Sequence, residues 1–372
     1  MPSLLEVSAL NQQVLWAAFL LAVGFGALAR HSHFCTMGAV ADVVLLGDWR
    51  RARMWALAAA VAAIGFGLMA GLGWIDPSRS LYTAPRWLWL SNLVGGGLFG
   101  VGMVLASGCG NKTLVRIGGG NLKSLIVFLV MAVAALATLR GISAVLRVAT
   151  VDAVALQLPV GQDLPALISG GAGPARRAWA LWLGPGLGAA LAAWVLARRE
   201  GRQAEVWVGG AGIGLLVVGL WWVSGHLGFV AEHPETLEAV YLGSASKGME
   251  SFSFVAPMGA TLDWLMMYSD ASKVLTLGVV TPIGVVLGSA LVAVLGGQFR
   301  WEGFASAEDT GRHLIGALLM GIGGITALGC TIGQGLSGVS TLAVGSFLAT
   351  AAMVAGAVLA LRYQAWQIER QA

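Results

Sequence analysis

The three cysteines are the side chains of this chain best suited to chemistry, and two of them lie in related segments. The segments that end at Cys109 and Cys330 share four glycines at the same spacing, and they read GGGLFGVGMVLASGC and GALLMGIGGITALGC. The offset of 221 residues that aligns them also places residues 37–39 on residues 258–260, both Met-Gly-Ala. Agreement of two separate blocks on one offset indicates an internal duplication in which each half ends an apolar helix at a thiol.

A row of thiols allows metal binding, the first of three alternatives. Soft metals such as Cu(I) favour thiolate and thioether ligands, so Met37 or Met258 could join the cysteines. The sequence has no CxxC pair, however, and His31 and His33 have no second metal-binding motif beside them. Metal transport is therefore the weakest alternative, and we predict no metal site and no cofactor.

Covalent sulfur chemistry is the second alternative, in which a cysteine takes up a sulfur atom as a persulfide. It requires a thiolate, which a nearby cation or helix N-terminus stabilises. Lys112 and Arg116 follow Cys109 by three and seven residues, within reach if this segment is helical. The spacing keeps this alternative open without establishing it.

Passage of an anion is the third alternative. Short helices that begin after Cys35, Cys109 and Cys330 would direct backbone N–H groups and positive dipole ends toward an anion. Polarizable thiols suit a soft, sulfur-bearing oxyanion better than a hard oxyanion such as sulfate. An amine or guanidinium inside a membrane is costly and by default functional. The candidate pathway residues are the cysteines together with Thr36, Asn111, Lys112, Arg116, Thr331 and Gln334.

The elements that must position these residues are membrane-spanning helices. Only 11% of the residues are charged and 57% are hydrophobic, whereas soluble domains carry roughly a quarter charged residues. A spanning helix needs about 20 apolar residues, and we predict nine spans, with no cleavable signal peptide and no nucleic-acid-binding patch. The predicted spans are 12–30, 54–75, 87–108, 123–140, 178–197, 206–230, 274–297, 313–329 and 339–361.

Four further segments are too short or too polar to span, yet too apolar to be ordinary loops. Irregular backbone at membrane depth is tolerated where protein or a water-filled cavity satisfies its polar groups. We therefore predict four short re-entrant helices that meet near the middle of an hourglass-like, all-α polytopic fold. The four segments are 31–47, 110–121, 251–267 and 331–340.

The distribution of lysine and arginine predicts the orientation. With the N-terminus periplasmic and the C-terminus cytoplasmic, most basic residues fall on the inner side, as the positive-inside rule requires. The two halves then start from opposite faces, which makes them inverted repeats. Within a single transmembrane domain of residues 1–372, we predict repeats at 12–140 and 206–361. A connecting segment at 141–205 contains one spanning helix, and its part from 141 to 176 has no assigned role.

At these motifs the chain resembles the YeeE/YedE family of membrane proteins, whose best-understood members take up thiosulfate. The resemblance rests on HFCTMGAVAD at Cys35, SGCGNKTLVR at Cys109 and GCTIGQGLSG at Cys330, and it covers essentially the whole chain. It implies an hourglass of nine spanning helices plus short re-entrant ones. It also implies that the three cysteines line a central pathway and pass thiosulfate along by S–H···S hydrogen bonds without consuming it.

The resemblance also implies a partner, a small cytosolic sulfurtransferase of the TusA/YeeD type. Since ten residues follow Arg362, we expect this partner to be a separate protein. We therefore predict an inner-membrane thiosulfate permease in contact with membrane lipid, and not an enzyme, so that no residue is catalytic. Two alternatives stay open: a membrane sulfurtransferase that forms a cysteine persulfide, and a permease for selenium compounds or another sulfur oxyanion.

Overall fold

A computed structural model describes residues 3–304 and 306–371, and these residues are mostly helical. The α-helices in the described residues are α1 (Leu4–His31), α2 (Thr36–Ala41), α3 (Arg50–Gly71), α4 (Trp89–Leu105), α5 (Gly110–Gly118), α6 (Leu122–Arg140), α7 (Ile142–Ala149), α8 (Leu164–Ser169), α9 (Pro174–Leu196), α10 (Ala204–Trp222), α11 (Val255–Met266), α12 (Leu277–Leu295), α13 (Ala307–Thr326) and α14 (Val344–Gln371). Three π-helical turns are Asp42–Leu46, Val223–Leu227 and Gly333–Gly338.

The described residues also contain two short antiparallel strand pairs and four 3₁₀-helical turns, which are Pro77–Arg79, Leu81–Thr83, Val151–Ala153 and Arg199–Arg202. Strand β1 (Arg86–Trp87) pairs with β2 (Leu156–Gln157), with Arg86 opposite Gln157. Strand β3 (Phe229–Val230) pairs with β4 (Val240–Tyr241). Both pairs lie in connections between helices, so the core is built from helix packing alone.

The prediction of an all-α polytopic membrane protein is confirmed. Within the described residues, eight helical stretches are long and apolar enough to cross a membrane: Leu4–Leu46, Arg50–Gly71, Trp89–Gly118, Leu122–Arg140, Pro174–Leu196, Ala204–Leu227, Leu277–Leu295 and Val344–Arg370. The ninth predicted span, 313–329, coincides with α13, which does not belong to these eight. Glu308, Asp309 and Arg312 lower the mean hydropathy of its first two turns, which is why length and composition alone select eight stretches and leave out α13.

Each of the four predicted re-entrant segments contains short helical structure. The first holds α2 and a π-helical turn, the second α5, the third α11, and the fourth the turn Gly333–Gly338. The order of long and short elements from α1 to α6 therefore recurs from α10 to α14. Packing is reciprocal as well: α1 packs on α12 as α10 packs on α3, and α4 packs on α14 as α13 packs on α6. The inverted orientation and the limits 12–140, 141–205 and 206–361 stay predictions.

Repeat-related glycines bring α4 and α13 into backbone contact where the two helices cross. A Cβ atom added at Gly95 would lie 2.7 Å from the Gly323 carbonyl oxygen, and one added at Gly102 would lie 2.7 Å from the Gly316 carbonyl oxygen. Small residues at a crossing allow helices in a membrane to approach closely. Because α4 leads to Cys109 and α13 leads to Cys330, this crossing holds two of the thiol segments together.

The connecting segment from 141 to 176 forms backbone hydrogen bonds with the residues just before α14. The sequence alone assigned this segment no role. The Leu164 N–H donates to the Leu342 carbonyl at 3.1 Å, and the Val344 N–H donates to the Gln162 carbonyl at 3.1 Å. Asp163 pairs with Ala343 as an isolated antiparallel bridge. These bonds fix the position of residues 342–344, which connect the fourth re-entrant segment (331–340, directly after Cys330) to α14.

Candidate functional site

The same backbone turn precedes each of the three cysteines. Two residues before each thiol, a residue other than glycine has positive φ: His33 (52°), Ser107 (53°) and Leu328 (61°). The next N–H reaches back to the carbonyl of the fifth residue before it, in the bonds Phe34 to Ala29, Gly108 to Met103 and Gly329 to Gly324. This is the hydrogen-bond pattern of a Schellman motif, which ends a helix sharply. Each thiol therefore stands at the point where the chain leaves one helix and starts a short one.

The turns bring the thiol segments together in the interior. The three cysteines are free, and Cys35 is 6% exposed while Cys109 and Cys330 are 0% exposed. The thiols of Cys35 and Cys109 lie against each other, and the Thr331 hydroxyl lies beside the Cys109 thiol. The Gly38 N–H donates to Cys35 Sγ at 3.3 Å, and the Gly333 N–H donates to Cys330 Sγ at 3.4 Å. Cys109 thus stands between the other two cysteine segments.

Polar atoms without partners surround the thiols. Of the ten buried side-chain polar atoms without a hydrogen bond in the described residues, four flank the cysteines: Thr36 Oγ1, Asn111 Oδ1, Thr331 Oγ1 and Gln334 Oε1. An unsatisfied buried polar atom costs about 1–3 kcal/mol, and such atoms in a native structure call for an explanation such as a missing ligand. Their concentration at the thiols indicates a place where a polar ligand binds.

The two amides also make bonds that hold the site in shape. Asn111 Nδ2 donates to the Phe34 carbonyl at 3.4 Å, which links α5 to the turn before Cys35. Gln334 Nε2 donates to the Ala327 carbonyl at 2.6 Å, which fixes the turn before Cys330. Each amide therefore bonds the backbone through its nitrogen and leaves its oxygen atom free for a donor.

Two cations of α5 lie on one side of the thiol cluster. A Cβ atom added at Gly108 would lie 3.0 Å from Lys112 Cγ and 3.6 Å from Arg116 Nη1, so this glycine leaves room for both side chains. The Lys112 amine lies within electrostatic range of Cys35 and Cys109. No ion pair in the described part of the chain involves Lys112 or Arg116. The positive charges thus face the site without a fixed counter-ion.

Two cavities approach the thiol segments, one beside Cys35 and one beside Cys330. The His33 cavity, of about 290 Å³, is lined by His33, Asp42, Leu46, Asp48, Arg50, Arg51, Met54, Gln203, Glu205 and Val206. The Tyr82 cavity, of about 330 Å³, is lined by Leu81, Tyr82, Leu136, Leu139, Arg140, Ala245, Ser246, Met249, Glu250, Ser251, Ser253, Ala256, Pro257, Ala260, Asp263, Gly278, Gly324, Ile325, Leu328 and Gly329. The first reaches the residue two before Cys35, and the second reaches the residue before Cys330. The buried thiols separate them.

Sequence reasoning missed several polar residues beside the thiols. Arg51 was not among the predicted pathway residues, yet a Cβ atom added at Gly38 would lie 2.6 Å from Arg51 Nη1, over the first turn after Cys35. Tyr82 and Ser253 were not singled out at all, although both line the cavity that reaches Cys330. No local motif marks them, because they come from loops far from Cys330 in the sequence.

The third re-entrant segment, which the 221-residue offset aligns with the segment of Cys35, has no thiol, and its packing shows what replaces it. Ala256 stands where Cys35 stands in the first half, and it lines the Tyr82 cavity instead of the thiol cluster. Phe254 and Met258 of this segment are 0% exposed and lie against Gly110, the residue after Cys109. An apolar wall therefore closes the site beside Gly110.

Comparison with known proteins identifies the family. The sequence pattern of the Sulphur transport family matches residues 31–359, a stretch that contains all three cysteines. The chain belongs to this family. The assignment made from the sequence motifs is thereby confirmed, and the chain is a multi-pass membrane transporter of sulfur compounds.

Members of the Sulphur transport family with similar sequences include two proteins named as thiosulfate transporters. The thiosulfate transporter TsuA of Spirochaeta thermophila is 27% identical over 358 residues, which cover 92% of this chain and 97% of that protein. The thiosulfate transporter TsuA of Escherichia coli K12 is 26% identical over 320 residues, covering 84% and 83% of the two chains. The probable transporter YedE of Escherichia coli is 34% identical over 110 residues, 30% of this chain and 26% of YedE.

Proposed function

We propose that this protein is an inner-membrane permease that imports thiosulfate through a pathway lined by its three cysteines. The observation that carries the proposal is the buried cluster in which Cys35, Cys109 and Thr331 meet, together with unsatisfied polar atoms around it. Thiosulfate has one terminal sulfur atom and three oxygen atoms. The terminal sulfur fits the thiols, and the oxygen atoms fit the free hydroxyl groups of Thr36 and Thr331.

The order of the thiols gives the pathway a sequence of steps. The anion enters from the Tyr82 cavity, where Cys330 is the nearest thiol, and it leaves through the His33 cavity, where Cys35 is the nearest. Cys109 receives the terminal sulfur in between, through S–H···S hydrogen bonds that form and break without a covalent step. Lys112 stabilises the charge at this middle position, because an anion in a low-dielectric interior depends on a nearby cation.

The predicted orientation supplies the direction of transport. With the N-terminus periplasmic and the C-terminus cytoplasmic, the Tyr82 cavity opens to the periplasm and the His33 cavity to the cytoplasm. In this proposal a small cytosolic sulfurtransferase of the TusA/YeeD type receives thiosulfate at the His33 cavity. Membrane lipid surrounds the helices, and the transport step itself uses no cofactor.

Uptake of labelled thiosulfate by cells that lack other sulfur importers tests the proposal. We expect uptake with the wild-type protein, a strong loss in Cys35→Ala and Cys330→Ala, and no uptake in Cys109→Ala/Cys330→Ala. Competition by selenite, sulfite and sulfate then compares the alternative substrates. Full uptake by the double variant would refute the thiol pathway. If selenite inhibits uptake of labelled thiosulfate more strongly than unlabelled thiosulfate does, the substrate would be a selenium compound instead.

Mass spectrometry of the purified protein after exposure to thiosulfate separates transport from sulfurtransferase chemistry. In the second case a cysteine thiolate would attack the sulfane sulfur, form a Cys–S–S bond and release sulfite as the leaving group. We expect no cysteine to gain the mass of a sulfur atom. Sulfur addition at Cys109 together with released sulfite would favour the sulfurtransferase.

A further inference from the structure

The Tyr82 cavity offers an anion few free charges. Its charged residues are Arg140, Glu250 and Asp263. Asp263 forms an ion pair of 2.5 Å with Lys273, and the Glu250 carboxylate accepts a hydrogen bond of 3.1 Å from the Ala245 N–H. Both acids are therefore engaged in the wall of the cavity, which leaves Arg140 and the neutral polar groups of the lining to contact an anion.

Two hydroxyl groups meet at the inner end of this cavity, directly beside the third thiol. The Tyr82 hydroxyl lies close to the Ser253 hydroxyl, because both approach Gly333. A Cβ atom added at Gly333 would lie 2.6 Å from Ser253 Oγ and 3.2 Å from Tyr82 Oη. The N–H of the same glycine donates to Cys330 Sγ. Both hydroxyls and the thiol thus surround one residue that has no side chain to separate them.

Rigid packing holds both hydroxyl groups in place. The Tyr82 ring is 8% exposed and packs edge-to-face on the fully buried Trp221, with 6.3 Å between ring centroids. Ser253 lies between Phe252 and Phe254, which are both 0% exposed. Groups held before the ligand arrives lose little freedom on binding, which raises affinity and specificity.

We propose that Tyr82 and Ser253 form the position that recognises the oxygen atoms of the entering anion and so orients its terminal sulfur toward Cys330. This inference rests on the proposed function and names residues that select the substrate. Neutral hydroxyl donors beside a thiol match an anion that carries both oxygen and a terminal sulfur atom. Hydrosulfide has no oxygen atom for the hydroxyls, and sulfate has no terminal sulfur atom for the thiol.

The concentration dependence of thiosulfate uptake in Tyr82→Phe, Ser253→Ala and the double variant tests this inference. A hydrogen bond to a charged group contributes about 1.5–3 kcal/mol, so we expect the half-saturating concentration to rise about tenfold or more. The maximal rate should stay within about twofold, because phenylalanine keeps the ring on Trp221. Inhibition of uptake by hydrosulfide should not weaken, since that anion does not use the hydroxyls.

The control is Tyr241→Phe, which removes the hydroxyl of another buried tyrosine that does not line this cavity. Its half-saturating concentration should equal that of the wild type. If the double variant takes up thiosulfate at the wild-type rate and with an unchanged half-saturating concentration, the hydroxyl site is overturned while the proposed function stands. A loss of maximal rate and protein level at constant half-saturation would also overturn it, since that pattern indicates a structural role. Absence of uptake by the wild type would refute the proposed function as well.

Discussion

The crossing of α4 and α13 can be tested by one methyl group. A Cβ atom at Gly102 would lie 2.7 Å from the Gly316 carbonyl oxygen and 2.9 Å from the Met320 nitrogen, both backbone atoms that cannot rotate away. An ordinary contact needs 3.4 Å or more, so Gly102→Ala must separate the helices by about 0.7 Å. Overpacking of this kind costs about 1–3 kcal/mol, against a gain of about 0.5–1 kcal/mol from replacing glycine with alanine in a helix.

The expected net loss of stability is about 0.5–2 kcal/mol, measured as thermal unfolding in detergent. The effect on transport should be larger, because the displacement separates Cys109 from Thr331. A misplacement of about 1 Å can cost a hundredfold in a positioned site, so we expect uptake to fall about ten- to a hundredfold. Gly97→Ala is the matched control on the same helix, because a Cβ atom there has no neighbour within 4 Å. Wild-type uptake and stability in Gly102→Ala would refute the reasoning.

Three further predictions concern charges. Burial raises the pKa of the Glu250 carboxyl, so uptake should fall as pH rises through this raised pKa and the carboxylate begins to repel the anion; Glu250→Gln should flatten this pH profile. The Asp163 and Arg176 side chains form a buried ion pair and are 1% and 8% exposed. Asp163→Asn breaks this pair and should lower the free energy of unfolding by about 3–5 kcal/mol. Arg312→Gln, in an exposed pair, should change it by less than about 1 kcal/mol, and equal effects would contradict the burial argument. Lys112→Met should lower the maximal uptake rate, Lys112→Arg should restore much of it, and a wild-type rate in Lys112→Met would exclude a role for this charge.

Much of the fold follows from local sequence. Length and hydropathy predict the spanning helices, because a helix in lipid must satisfy its backbone within itself and present about 20 apolar residues. The same criterion fails at α13, where charges in the first turns lower the hydropathy of a helix that nevertheless packs against α4 and α6. Burial against protein, which local composition does not record, stabilises such a helix.

The duplication made the thiols stand out, since the 221-residue offset aligns Cys109 with Cys330. It did not reveal that His33, Ser107 and Leu328 adopt positive φ values before the thiols. In two of the three turns a glycine, Gly108 or Gly329, follows the residue with positive φ instead of occupying that position. The positions of the glycines alone would therefore assign the positive φ to the wrong residue. The conformation is imposed by the helix end and by the packing around it.

By itself the sequence determined the residue types, the thiols, the apolar helices and the family, because these depend on local composition and motifs. Only the tertiary structure decided that Tyr82 and Ser253 stand beside Cys330, that Arg51 covers the turn after Cys35, and that the segment from 141 to 176 fastens the approach to α14. These contacts join loops separated by many residues. Their geometry is set by how closely helices pack, which depends on all the helices at once.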